Sequence, residues 1–154
     1  MFSGNRWHKT GGILSFAVAL LHLVIIFAGA PAYRYFGAGE EMAAAAESGS
    51  AFPAVLTLVL AVVFAVWGLY ALSGAGVIRR LPLLRVALIL IGAVYTLRGI
   101  TVFQQIFQTA TSSAKVEPRD IVFSLVSLGI GLAYLTGTAA NWRNLRAGTR
   151  AAES

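Results

Sequence analysis

The chain has 154 residues, of which 58% are hydrophobic and 12% charged, with a formal net charge of +6 and a mean hydropathy of +0.77. A soluble domain carries about 25% charged residues, so this composition belongs to a different class of protein. The absence of cysteine removes disulfides, thiolate metal sites and thiol redox chemistry.

The apolar residues fall in blocks that approach or exceed the roughly 20 residues needed to cross a bilayer. They lie at about Gly12–Ala30, Phe52–Leu72, Leu83–Phe107 and Ile121–Ala140. The predicted fold is an all-α integral membrane protein, a four-transmembrane-helix antiparallel bundle that fills residues 1–154 as one membrane domain.

The first block follows Arg6, Trp7, His8 and Lys9, with Trp7 and Lys9 suited to a membrane interface. Its end, Ala28-Gly29-Ala30, matches the small-residue pattern of a signal-peptide cleavage site. Pro31 disfavours scission there, and the apolar run is longer than a signal core, so the block reads as a retained signal anchor. In the loop 31–51, Tyr33-Arg34-Tyr35-Phe36 reads as an aromatic belt at headgroup level. Glu40 to Glu47 is rich in strong helix formers, and Ser48-Gly49-Ser50 ends it. A short interfacial helix and a plain solvated connector are both open.

After the second block, Ser73-Gly74-Ala75-Gly76 breaks the helix and Pro82 starts the next one, so blocks two and three form an antiparallel hairpin. The polar stretch Thr109–Arg119 leads into block four through Glu117-Pro118. The tail then sets Trp142, Arg143 and Arg146 at an interface.

Orientation follows from the basic residues. With the N-terminus inside, the inner segments hold Arg6, Lys9, Arg79, Arg80, Arg85, Arg143, Arg146 and Arg150, eight of the twelve. The outer loops hold Arg34, Lys115 and Arg119. Five of the six acids (Glu40, Glu41, Glu47, Glu117 and Asp120) are outside, and Glu153 is inside. Lys and Arg bias sets topology, which gives N-in/C-in. Membrane lipids with anionic headgroups are the natural partners of such a charge distribution. No nucleic-acid motif accompanies it, and nucleic acid is not an expected partner. The expected location is a bacterial-type cell (inner) membrane, crossed several times. A second copy or another protein is the remaining class of partner.

Polar and small residues recur at intervals that keep them on one helix face. In block four these are Asp120, Ser124, Ser127, Gly131, Tyr134, Thr138 and Asn141. In block three they are Arg98, Thr101, Gln105 and Gln108, beside a second face of Gly92, Thr96 and Gly99. Block one offers Ser15, Ala19, His22 and Gly29, and block two Thr57, Ala61, Ala65 and Gly68. Such stripes are what helix packing in lipid selects by itself.

Arg98 is harder to account for by packing. A guanidinium at membrane depth costs roughly 2.5–3.5 kcal/mol on insertion scales and normally faces a partner, a cavity or an interface. One reading is structural, with Arg98 snorkelling to Asp120 or to outer-leaflet phosphates. The other is an outward-facing polar pocket for a small anion or anionic lipid, built from Arg98, Thr101, Gln105, Ser124, Ser127 and Tyr134, with His22 as a further candidate. His22 sits near mid-membrane, and interhelical hydrogen bonding is its plainer role. Haem ligation by His8 and His22 of one straight helix is not expected.

No acid pair, metal-ligand cluster or nucleophile-base arrangement stands out within the blocks. No catalytic residue, metal or cofactor is therefore assigned, and an enzyme is not the favoured class. The sequence points to a non-catalytic accessory or lipid-interacting bundle, with a transporter or carrier of a small anion as the alternative.

Overall fold

The computed structural model describes residues 3–111 and 116–145. Lys115, Arg146, Arg150 and Glu153, used above for the charge bias, lie outside the described residues. Among the described residues the structure is all-helical, without strands: α1 (Ser3–Ala28), α2 (Ala30–Tyr35), α3 (Glu40–Glu47), α4 (Phe52–Gly74), α5 (Leu84–Ala110) and α6 (Pro118–Ala140). Four of these, with bounds Gly4–Ala28, Phe52–Gly74, Leu84–Ala110 and Pro118–Ala140, are long and apolar enough to cross a membrane. Helices suit that role because every backbone N–H and C=O is satisfied within the segment.

The helices outrun the apolar blocks, because a helix ends at a breaker and not where hydrophobicity stops. α1 begins well before Gly12, since no proline interrupts Ser3 to Gly12. α4 runs on to Gly74, where Ala75, Gly76 and Val77 close it. There Gly76 N–H bonds the Ser73 carbonyl at 3.0 Å and Val77 N–H the Leu72 carbonyl at 2.9 Å. This paired closure needs a left-handed residue, and Gly76 supplies it at φ 72°.

The chain divides into two compact units, residues 14–68 and residues 1–13 with 69–154. In the 14–68 unit the later part of α1 and the earlier part of α4 run in opposite directions. Phe16 fills the space beside Gly68, and the His22 and Phe64 rings stand 4.9 Å apart. Ser15, Ala19, Thr57 and Ala61 are all buried, so the small-residue stripes of these segments are packing faces.

The same unit carries a compact cap. Tyr33 is 2% exposed and packs with Ile25, Ala30, Ala32 and Ala43. The tyrosine expected in a headgroup belt is thus a core residue, whereas Tyr35 is exposed. The Tyr33 hydroxyl accepts from Thr57 Oγ1 at 3.4 Å. Arg34 ties α2 to both ends of α3: Nη2 meets Glu40 Oε1 at 2.6 Å and Nη1 meets Glu47 Oε1 at 2.6 Å. These hydrogen bonds, to Glu40 first and Glu47 second, hold the arginine well above its usual range. They likewise hold both carboxyls below theirs.

In the other unit, α5 and α6 pack along most of their length in opposite directions. Gly99 lies against the backbone of Leu128, Gly131 against Thr96 and the Gly92 carbonyl, and Gly92 against Leu135. A Cβ on Gly99 would lie 2.5 Å from Leu128 Cα, so glycine is what lets the two backbones approach. The buried residues of α5 include Leu88, Ile91, Gly92, Tyr95, Gly99 and Val102.

Candidate functional site

Which face of α5 is buried determines where Arg98 goes. Successive helix residues are about 100° apart, since a turn takes 3.6 residues. With Gly99 and Tyr95 turned to α6, Arg98 falls on the exposed side. Around it Val94, Leu97, Ile100 and Phe103 are also exposed. Its guanidinium makes no hydrogen bond or ion pair with any described residue, Asp120 included.

The other residues of the expected pocket are placed as follows. Thr101 Oγ1 donates to the Arg98 carbonyl at 2.7 Å. Its hydroxyl lies 3.1 Å from that of buried Ser124, so Ser124 donates to Thr101. Ser127 Oγ donates to the Phe123 carbonyl at 2.9 Å. Tyr134 is fully buried, its ring 6.0 Å from that of Tyr95. Gln105 is half-buried, and its Oε1 is buried with no partner among the described residues. Thr101 and Ser124 therefore meet as an interhelical hydrogen bond, and Arg98 is not brought to them.

His22 belongs to the 14–68 unit. It donates Nδ1–H to the Val18 carbonyl of its own helix at 2.8 Å. Among the described residues no three His, Cys, Asp or Glu side chains are grouped to hold a metal ion.

A different polar cluster assembles where α1 begins and α6 ends, and it centres on His8. This residue, treated above as part of a flank, is fully buried. Its Nε2 lies 3.2 Å from Thr138 Oγ1. Since Thr138 donates its hydroxyl proton to the Tyr134 carbonyl at 2.8 Å, His8 Nε2 must donate to Thr138. The Nδ1 atom faces Gly74 but forms no hydrogen bond of full geometry with a described residue. Two glycines make room for the ring: a Cβ on Gly137 would stand 2.6 Å from His8 Cδ2, and one on Gly74 3.1 Å from Nδ1.

One turn away, Asn141 is 4% exposed and donates from Nδ2 to Asn5 Oδ1 at 2.8 Å. A Cβ on Gly4 would lie 2.6 Å from Asn141 Cγ. The signal for this cluster was in the sequence: Gly4, His8, Gly11, Ser15 and Ala19 recur at helical spacing, extending the block-one stripe back to the N-terminus.

A cavity of ≈ 240 Å³ opens at this end, with Asn5, Ser73, Gly74, Arg80, Asn141 and Asn144 among its walls. Arg80 reaches across it and donates from Nη2 to the Asn144 carbonyl at 2.5 Å. Nearby, the Arg85 guanidinium stacks 4.6 Å from the centre of the Trp142 ring.

The geometry defines a class: a small protein that, among the described residues, is all-helical, with four helices apolar enough to span a membrane and buried polar contacts between helices. No family model, curated protein or solved structure matches this chain.

Proposed function

We propose that this chain is a non-catalytic, lipid-interacting membrane protein whose four long helices cross a bacterial-type inner membrane as an antiparallel bundle, N-in and C-in. The bias of eight basic residues on one side against three in the outer loops supports that orientation.

The observation that carries the lipid reading is Arg98. It is exposed among apolar side chains and has no partner within the described residues. A cation so placed has no counter-charge among the described residues, and a lipid phosphate reached by snorkelling provides one. Gln104 and Gln108 follow towards the outer end of the same helix, within about 15 Å along its axis at 1.5 Å per residue. The carrier alternative is less well supported, because Arg98 stands apart from the hydroxyl pair that was to share its pocket.

The test is native mass spectrometry of wild type and Arg98→Leu, each extracted with phosphatidylglycerol and phosphatidylcholine present. The expected result is a selective loss of retained phosphatidylglycerol in the variant, with helix content unchanged. Equal retention of both lipids by the two proteins refutes the reading.

A further inference from the structure

We infer that the cavity walled by Asn5, Arg80 and Asn141 is a second lipid site, one that takes the phosphate group of an anionic headgroup in the leaflet bordering this end of the helices. The inference shares with the proposed function the membrane-spanning assignment and uses none of the residues around Arg98.

Among the described residues the walls hold a single formal charge, the Arg80 guanidinium, and no acid. A guanidinium has five N–H donors. Among the described residues Arg80 uses only Nη2, towards Asn144. The rest of the fork is therefore available for the bidentate geometry that phosphate oxygens accept. Ser73 fixes the loop that carries it, because its hydroxyl donates to the Arg79 carbonyl at 3.1 Å and accepts from Leu81 N–H at 3.0 Å.

The amides add donors. Asn141 donates from Nδ2 to Asn5 Oδ1, which leaves the Asn5 NH₂ group unspent among the described residues. Several acceptors on the walls are already engaged, among them Asn5 Oδ1, which receives Asn141 Nδ2. The Ser73 carbonyl receives Gly76 N–H, and that of Asn141 receives Leu145 N–H. The Asn144 carbonyl receives Arg80. A cavity that sets free N–H donors around a cation, with no acid on its described walls, suits an anion.

Its setting points to a headgroup. Trp142 is exposed beside Arg85, a pairing of indole and cation suited to the membrane–water boundary. Arg79, Arg143, Arg6 and Lys9 are exposed on elements of the same unit. Basic pockets between spanning helices on one side of a membrane are suited to anionic headgroups. The same phosphate chemistry is offered by free inorganic phosphate, and the experiment separates the two sources.

Purified full-length wild type, Arg80→Gln, Arg80→Lys and Arg98→Leu are titrated with phosphatidylglycerol and with phosphatidylcholine in detergent, with bound lipid read by native mass spectrometry. Loss of a charge-assisted bidentate contact is expected to weaken phosphatidylglycerol binding about tenfold or more in Arg80→Gln. Arg80→Lys is expected to keep part of the binding, and phosphatidylcholine binding should be unchanged in both. Inorganic phosphate at millimolar concentration is expected not to displace the lipid; displacement reassigns the cavity to free anions and overturns the lipid-site inference. Wild-type selectivity for phosphatidylglycerol in Arg80→Gln also overturns it, and this readout is independent of any change in thermal stability. If Arg98→Leu loses lipid while Arg80→Gln does not, this inference fails and the proposed function stands. If Arg80→Gln alone loses lipid, the reverse holds.

Discussion

Gly99→Ala isolates the feature that most constrains α5 and α6. The added methyl would lie 2.5 Å from Leu128 Cα and 2.6 Å from Leu128 Cβ. Ordinary carbon contacts are about 3.5–4.0 Å, so the two backbones must part by roughly 1 Å. The obstacle is main chain and has no rotamer through which to escape. Overpacking of this kind costs about 1–3 kcal/mol, and here it also strains the Thr101–Ser124 hydrogen bond one turn further along. Gly129 provides the matched control, since a Cβ there meets nothing within 4 Å. Gly129→Ala exchanges a poor helix former for the best one and should be neutral or stabilising by up to about 1 kcal/mol. Thermal unfolding of both variants in one detergent, followed by far-UV circular dichroism, compares them directly. A Gly99→Ala midpoint equal to or above that of Gly129→Ala would refute the close approach of these helices.

A double-mutant cycle on His8→Ala and Thr138→Val should return a coupling of about 0.5–1.7 kcal/mol in thermal or denaturant unfolding, the range for hydrogen bonds between membrane helices; additive effects would mean the contact at 3.2 Å contributes nothing. The cap held by Arg34 should respond to acid. Its carboxyls titrate below their ordinary value of 4.5, so their contribution is complete above that pH and is lost as pH falls through the lowered folded values. Hydrogen exchange in α3, corrected for intrinsic rates, should rise below pH 4 to 5, and Arg34→Gln should abolish the dependence; a pH-independent wild-type cap contradicts the assignment. Because the chain lacks cysteine, single substitutions report topology cleanly. Ser48→Cys should label with a membrane-impermeant maleimide in intact cells, and Asn144→Cys only after permeabilisation; the reverse pattern would invert the orientation.

The four long apolar helices were legible because a bilayer demands length and apolarity together, and both can be counted along a sequence. Helix ends were less so: α1 starts at Ser3 because nothing there stops it, although Arg6 and Lys9 look like a flank. Packing is the plainer reading of the block-four stripe, although Ser124, Ser127 and Tyr134 are also pocket candidates; Ser124, Gly131, Tyr134, Thr138 and Asn141 are buried, and Asp120 and Ser127 are half-buried. Arg98 shows where periodicity stops being informative. Block three carried two overlapping stripes, and spacing alone could not say which would face α6. Steric access decided it, since only the stripe with Gly92 and Gly99 permits backbone approach. His8 was passed over for the opposite reason. Its neighbours Trp7 and Lys9 mark an interface, while the glycines that house its ring, Gly74 and Gly137, are remote in sequence.

The Gly99–Leu128 approach also limits what α5 and α6 can do as a pair. Where one added methyl already collides with the facing main chain, there is no room for a file of water or a passing solute. This seam is a closed wall of the molecule, and any permeation route would have to bypass it.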